Sequence, residues 1–345
     1  MKNIRSNSLL ISVIIVIVLV SCIPLDMNPP PIVTIVPPIR HEVHSVVGIE
    51  PIWIIENTSV HRNNQDTALD SSAGKTCFLG NLNEKHKYFD HLICLESRSG
   101  KILWNNYSGI HDEIEVTPDG IFVTYVGPAS VRKYDFQNGN LIWKNKKLGG
   151  SPGSSYLYFQ DSQVEVLFLH ERTAVLNATD GEVLRTIYEQ SVFVSQRDEI
   201  LIDFDGLYSM KANTDQMLWK HEDTKIEPAP LFTDNKIFVL RKFSETAYTL
   251  DRNTGALLWE IPKVLGNFAY SSSKHVVYAL RENGELLAID EDSGKEVVVA
   301  KFSPAPFIYS DGIHDFGYQL SYDEEENILI VSTGDSSQLF AFQEK

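Results

Sequence analysis

No Gly-rich phosphate loop, no Cys-x-x-Cys-His haem attachment and no nucleophile elbow occurs in the 345 residues. The chain therefore lacks the motifs that mark a nucleotide enzyme, a c-type cytochrome or an α/β-hydrolase. Basic residues are outnumbered, with 30 Lys and Arg against 46 Asp and Glu and a formal net charge of -16. Such a surface repels nucleic acid and anionic headgroups, so no nucleic-acid partner is expected. The ten histidines are scattered, and the closest pair, His41 and His44, has no third ligand nearby. It reads as a solvated loop, and no metal site is expected. Asp203-Phe204-Asp205-Gly206 and the run Asp290 to Gly294 have calcium-loop composition but lack the terminal glutamate of an EF-hand, and both coincide with hairpin turns. The acidic run Asp323 to Asn327 reads as a solvated loop.

Long apolar runs are also missing. The longest near the N-terminus, Leu9 to Val20, covers only 12 residues after Lys2 and Arg5, which is short for a bilayer span and suits a signal h-region. It ends in Leu19-Val20-Ser21-Cys22, which resembles a bacterial lipobox in which Cys22 takes the lipid. Removing residues 1–21 lowers the net charge to -18, since they hold two basic residues and no acidic ones. Residues 22–50 follow as a proline-rich tether. The expectation is a bacterial lipoprotein exported to the periplasm or cell surface and touching the membrane through its lipid alone. Ile23 after the cysteine leaves open which membrane receives it.

What the chain does have is a recurring phrase: a short apolar strand, an acidic or polar residue, a turn glycine and, four residues on, a tryptophan. The turn positions are Gly100, Gly139, Gly181, Asp215, Gly255 and Gly294, spaced by 34 to 42 residues. That period belongs to repeat architectures. Four residues before each turn stand Glu96, Asp135, Asn177, Lys211, Asp251 and Asp290, mostly side chains able to bond turn backbone. Four residues after it stand Trp104, Trp143, Arg185, Trp219, Trp259 and Val298, on the second strand of each hairpin. Further strand runs, such as GIFVTYV from Gly120 and HVVYAL from His275, raise the content to roughly four strands per repeat, that of a propeller blade.

A blade cannot bury both faces alone, so the copies must stack around an axis. The C-terminal run NILIVSTGDSSQLFAFQEK stops before any tryptophan strand, while EPIWIIEN places Trp53 on a strand with no inner partners before it. The halves complement each other. The expectation is an all-β propeller of about seven four-stranded blades over residues 51–345, with the N-terminal strand at Trp53 completing the last blade.

YTLDRNTGALLW and AIDEDSGK resemble the PQQ-like β-propeller repeat, over roughly residues 51–345. That family includes a lipoprotein of outer-membrane barrel assembly and the larger quinoprotein alcohol dehydrogenases. The resemblance implies that Trp53, Trp104, Trp143, Trp219 and Trp259 dock between neighbouring blades, with Arg185 and Val298 departing from the pattern. The quinoproteins carry adjacent cysteines and calcium ligands, and this chain has no adjacent cysteines. Apart from Cys22 there are only Cys77 and Cys94, flanking one long hairpin loop; a cross-strand disulfide is conceivable, and two free buried thiols are the commoner outcome.

The leading expectation is a non-catalytic interaction scaffold with no cofactor and with envelope proteins as partners. A module binding carbohydrate or another small ligand in the central channel is the alternative, with Tyr107, Tyr125 and Tyr270 as aromatic candidates, and a quinone-dependent dehydrogenase ranks behind both.

Overall fold

The computed structural model describes residues 40–345 except 57, 61–67, 83–90, 108–110, 126–129, 149–154, 169–171, 189–190, 195–197, 204–205, 213, 215, 224–229, 242–245, 306–308, 311–314, 317, 334–337 and 345. Every regular element among the described residues is a strand. Blade 1 runs through Leu69–Ser72, Lys75–Asn81, His91–Glu96 and Ile102–Tyr107, each strand antiparallel to the next. Blades 2 to 5 repeat this meander, starting at His111–Thr117, Ser155–Gln160, Ser191–Val194 and Leu231–Phe232. Blade 6 begins at Val264–Ser271 and blade 7 at Gln319–Asp323. The seven blades form a ring with their first strands innermost.

The ring closes with strands from both ends of the chain. Ile49–Glu56 pairs antiparallel with Gln338–Glu344, placing Trp53 opposite Ala341 and Ile55 opposite Leu339. The ladder shifts register between Pro51 and Trp53, where proline has no N–H to give. One strand was not expected. Glu42–Ser45, within the range read as tether, pairs with the outer strand Glu296–Ser303 of blade 6 and makes that sheet five-stranded.

The second and third strands of each blade are covered on both faces by neighbouring blades. Ile328–Ser332, the second strand of blade 7, is buried at every position, which is why such strands read as continuous apolar runs. Outer strands alternate instead, as in Ile102–Tyr107. The core is accordingly shared between blades: Phe302 of blade 6 meets Phe340 and Phe342 of blade 7 edge-on at 5.2 and 6.1 Å.

The tryptophans explain the turn glycines. A Cβ on Gly139 would lie 2.6 Å from the Trp104 ring of the preceding blade, and one on Gly181 would lie 2.6 Å from Trp143. Both glycines have positive φ, +71° and +75°, so the turn needs glycine twice over, for its backbone and for its neighbour. Trp53 over Gly100, Trp219 over Gly255 and Trp259 over Gly294 repeat the arrangement. Asp215, the turn position of blade 4 in the sequence, lies outside the described residues, and Arg185, in the tryptophan place of blade 3, pairs with Glu199 at 2.9 Å. Blade 7 takes its outer strand from the N-terminus, so it has no hairpin turn for Val298 to cover.

Cys77 and Cys94 lie directly opposite each other with Cα atoms 4.1 Å apart, and their sulfurs are bonded. The commoner expectation of two free thiols does not hold. Their position as a closely spaced cross-strand pair, fully buried in blade 1, brings the side chains together.

Candidate functional site

The first strands of all seven blades surround an axial cavity of about 830 Å³. These strands are held together by side chains that reach across blades. Asp70 of blade 1 accepts bonds from the Val116 N–H of blade 2 at 2.6 Å, from its neighbour Ser71 N–H at 2.8 Å and from Ser321 Oγ of blade 7 at 3.1 Å. Burial nevertheless raises its carboxyl to about 6, with the nearby Asp323 charge adding to the effect. Glu115, on the first strand of blade 2, is pushed well above the usual carboxylate range by burial and by Asp70, while accepting a bond from the Phe159 N–H of blade 3.

The opposite side of the cavity is cationic and fully paired. Arg252 forks onto Asp198 at 2.6 and 3.0 Å and donates to the Thr233 carbonyl at 2.9 Å. Lys236 bonds Asp292 at 2.5 Å. Glu291 accepts from Tyr270 Oη at 2.6 Å, Thr233 Oγ1 at 2.7 Å and His275 Nδ1 at 3.1 Å. Burial alone would raise Glu291, but these donors and the Lys236 charge hold it below the usual range. Between the two sides lies an aromatic panel. Phe193 and Phe232 stack at 4.1 Å, and Tyr158 meets them edge-on at 5.1 and 5.6 Å. Burial drives the Tyr158 phenol well up, and Glu113, Glu115 and Glu165 add to it, so the aromatic panel adjoins the acidic side.

The residues singled out in the sequence are dispersed relative to this cavity. Leu19, Val20, Ser21 and Cys22 lie outside the described residues. The five tryptophans sit on outer strands at blade joints. Trp53, Trp143 and Trp219 donate their Nε1–H to the carbonyls of Ser97, Ala178 and Arg252 at 2.8, 3.1 and 2.9 Å. Trp104 Nε1 and Trp259 Nε1 are buried with no partner among the described residues, and the carbonyl matching Trp104, that of Phe136, accepts instead from Lys75 Nζ at 2.6 Å. Of the three tyrosines, Tyr270 lines the cavity, Tyr107 is exposed on an outer strand, and Tyr125 lies under the Arg132 guanidinium.

Two sequence readings need correction. His41 is buried rather than solvated; its N–H donates to Gln338 Oε1 at 2.7 Å and its Nδ1 lies 2.8 Å from the Pro304 carbonyl. The acidic run is not a free loop. Asp323 is fully buried and accepts from Ser97 Oγ at 2.5 Å, and Glu324 accepts from the Ser273 N–H at 2.5 Å, so the run joins blade 7 to blades 1 and 6. Within the second calcium-like segment, Asp290 accepts from Ser293 N–H at 2.8 Å and Oγ at 2.6 Å, closing its own turn; Phe204 and Asp205 of the first lie outside the described residues.

Tyr158, Phe193 and Phe232 were not foreseen because the first strands carry no shared motif; Leu231–Phe232 is two residues long. Comparison with known proteins bears on the whole ring. The family described as outer membrane protein assembly factor BamB matches over residues 130–335. Among solved structures, BamB from Moraxella catarrhalis is 12% identical, with 88% of this chain and 98% of that one covered at a TM-score of 0.53. The computationally designed Ika8 protein is 13% identical, with 83% and 98% covered at a TM-score of 0.54. At such identities the likeness is one of fold. No curated protein matches the chain.

Proposed function

The chain belongs to the family described as outer membrane protein assembly factor BamB, and from that premise we propose that it is an exported, lipid-anchored scaffold that binds envelope proteins without catalysing a reaction. The role is of the kind the family description names, that of an outer membrane protein assembly factor. The observation that carries the reading is on the outer strands. Pairs such as Ile102 and Leu103, Leu141 and Ile142, Val183 and Leu184, and Met217 and Leu218 stand 38% to 54% exposed at the same place in successive blades. Repeated apolar side chains at a rim suit protein contact better than chemistry. The cavity supports the same reading, since Arg252, Lys236 and Glu291 spend their bonds on neighbouring blades.

Anchoring through Cys22 is the part most open to direct test. Cys22→Ala should leave the signal uncut or release the protein from membranes, and mass spectrometry of the wild-type N-terminus should find acylated Cys22. An intact signal in the wild-type protein would overturn the anchored scaffold. The aromatic panel favours a second reading, a small ligand in the axial cavity.

A further inference from the structure

The axial cavity has an uneven charge. Lys236, Arg252 and His275 line it, and each is engaged by a carboxylate, Asp292, Asp198 and Glu291 respectively. Asp70 and Glu115 line it too, and among the described residues no cation pairs with either; the charges acting on them are those of other carboxylates. Ionising both carboxyls at once is costly, and a cation facing them would offset the repulsion. Phe159, whose N–H bonds Glu115, directly follows Tyr158 on the same strand, and Tyr158 joins the aromatic panel with Phe232. Among the described residues no three His, Cys, Asp or Glu side chains converge as a metal cage. Carboxylates beside aromatic faces are the chemistry that holds an organic ammonium, by charge on one side and by ring quadrupole and apolar contact on the other.

We propose that the axial cavity binds a protonated organic amine, its ammonium facing Asp70 and Glu115 and its carbon skeleton lying along Tyr158 and Phe232. The cavity, at about 830 Å³, has room for a chain of several methylenes. Neutralising one of the two carboxylates should weaken such a ligand by about tenfold.

The test is calorimetric titration of the purified full-length chain with spermidine at fixed ionic strength. Saturable binding at one site is expected, with tetramethylammonium competing. Glu115→Gln should weaken spermidine by about tenfold, while Glu325→Gln, at an exposed turn position, should leave it unchanged. Heat that never saturates would overturn the proposal. So would equal weakening by both variants, which would mean diffuse attraction to an acidic surface, or displacement of spermidine by maltose but not by tetramethylammonium. Should Glu115→Gln not fold, competition in the wild-type protein decides.

Discussion

Replacing Gly181 with alanine isolates the contact that sets the repeat. Its φ of +75° costs a residue with a Cβ about 1 to 2 kcal/mol. The new Cβ would also sit 2.6 Å from Trp143 Cε3. That ring cannot slide away freely, because its Nε1 is bonded to the Ala178 carbonyl at 3.1 Å and its face meets Phe122 at 6.0 Å. Displacing it should cost about 1 to 3 kcal/mol, so Gly181→Ala should lose about 2 to 5 kcal/mol in all. Trp143→Ala alone should lose about 3 to 5 kcal/mol, as should Trp259→Ala at the Gly294 joint. In the double variant only the backbone cost of alanine remains, which leaves a coupling of about 1 to 3 kcal/mol. Urea unfolding of wild type, both single variants and the double variant measures it, provided the slopes agree. If Gly181→Ala costs as much without the Trp143 ring as with it, the pairing of tryptophan and glycine is not what selects the turn residue.

Three further outcomes follow from the geometry. Deleting residues 51–58 removes the strand paired with Gln338–Glu344 and the ring over Gly100, so thermal melting should drop for the entire propeller; an unchanged melting temperature would contradict closure by this strand. Asp70 is raised from 3.8 to about 6, so the folded state holds that proton more tightly, and its contribution is full below 3.8 and lost as pH rises through about 6. Melting temperature measured between about pH 4 and pH 7.5 should therefore fall less steeply in Asp70→Asn than in wild type, and parallel curves would refute the linkage. Titration with PQQ and calcium should show no saturable binding, and quinone-dependent alcohol oxidation would overturn the non-catalytic reading.

What could be read in the sequence was what repeats. The turn glycines and tryptophans recur in register, so blade number, hairpin polarity and the closing strand at Trp53 were all visible before any coordinates. The Asp215 and Arg185 departures were visible as well, but the ion pair of Arg185 with Glu199 was not, because it joins one blade to the next. The cavity was hidden for the opposite reason. Asp70, Glu115, Tyr158 and Phe232 come from four first strands with no common spacing, and only the ring brings them to one axis. His41 and Asp323 misled because polarity suggested solvent, whereas each is buried against a partner more than two hundred residues away in sequence, Gln338 and Ser97. Glu42–Ser45 has no motif at all; the free edge of Glu296–Ser303 is what makes it a strand.

Crosslinking mass spectrometry on membranes carrying the full-length chain tests the scaffold most directly. Crosslinks from the outer strands and rim turns to one or a few recurring envelope proteins, lost when Cys22→Ala frees the chain from the membrane, are the predicted result. A wild-type chain whose crosslinks stay within the propeller, with no recurring partner at any blade, would contradict it.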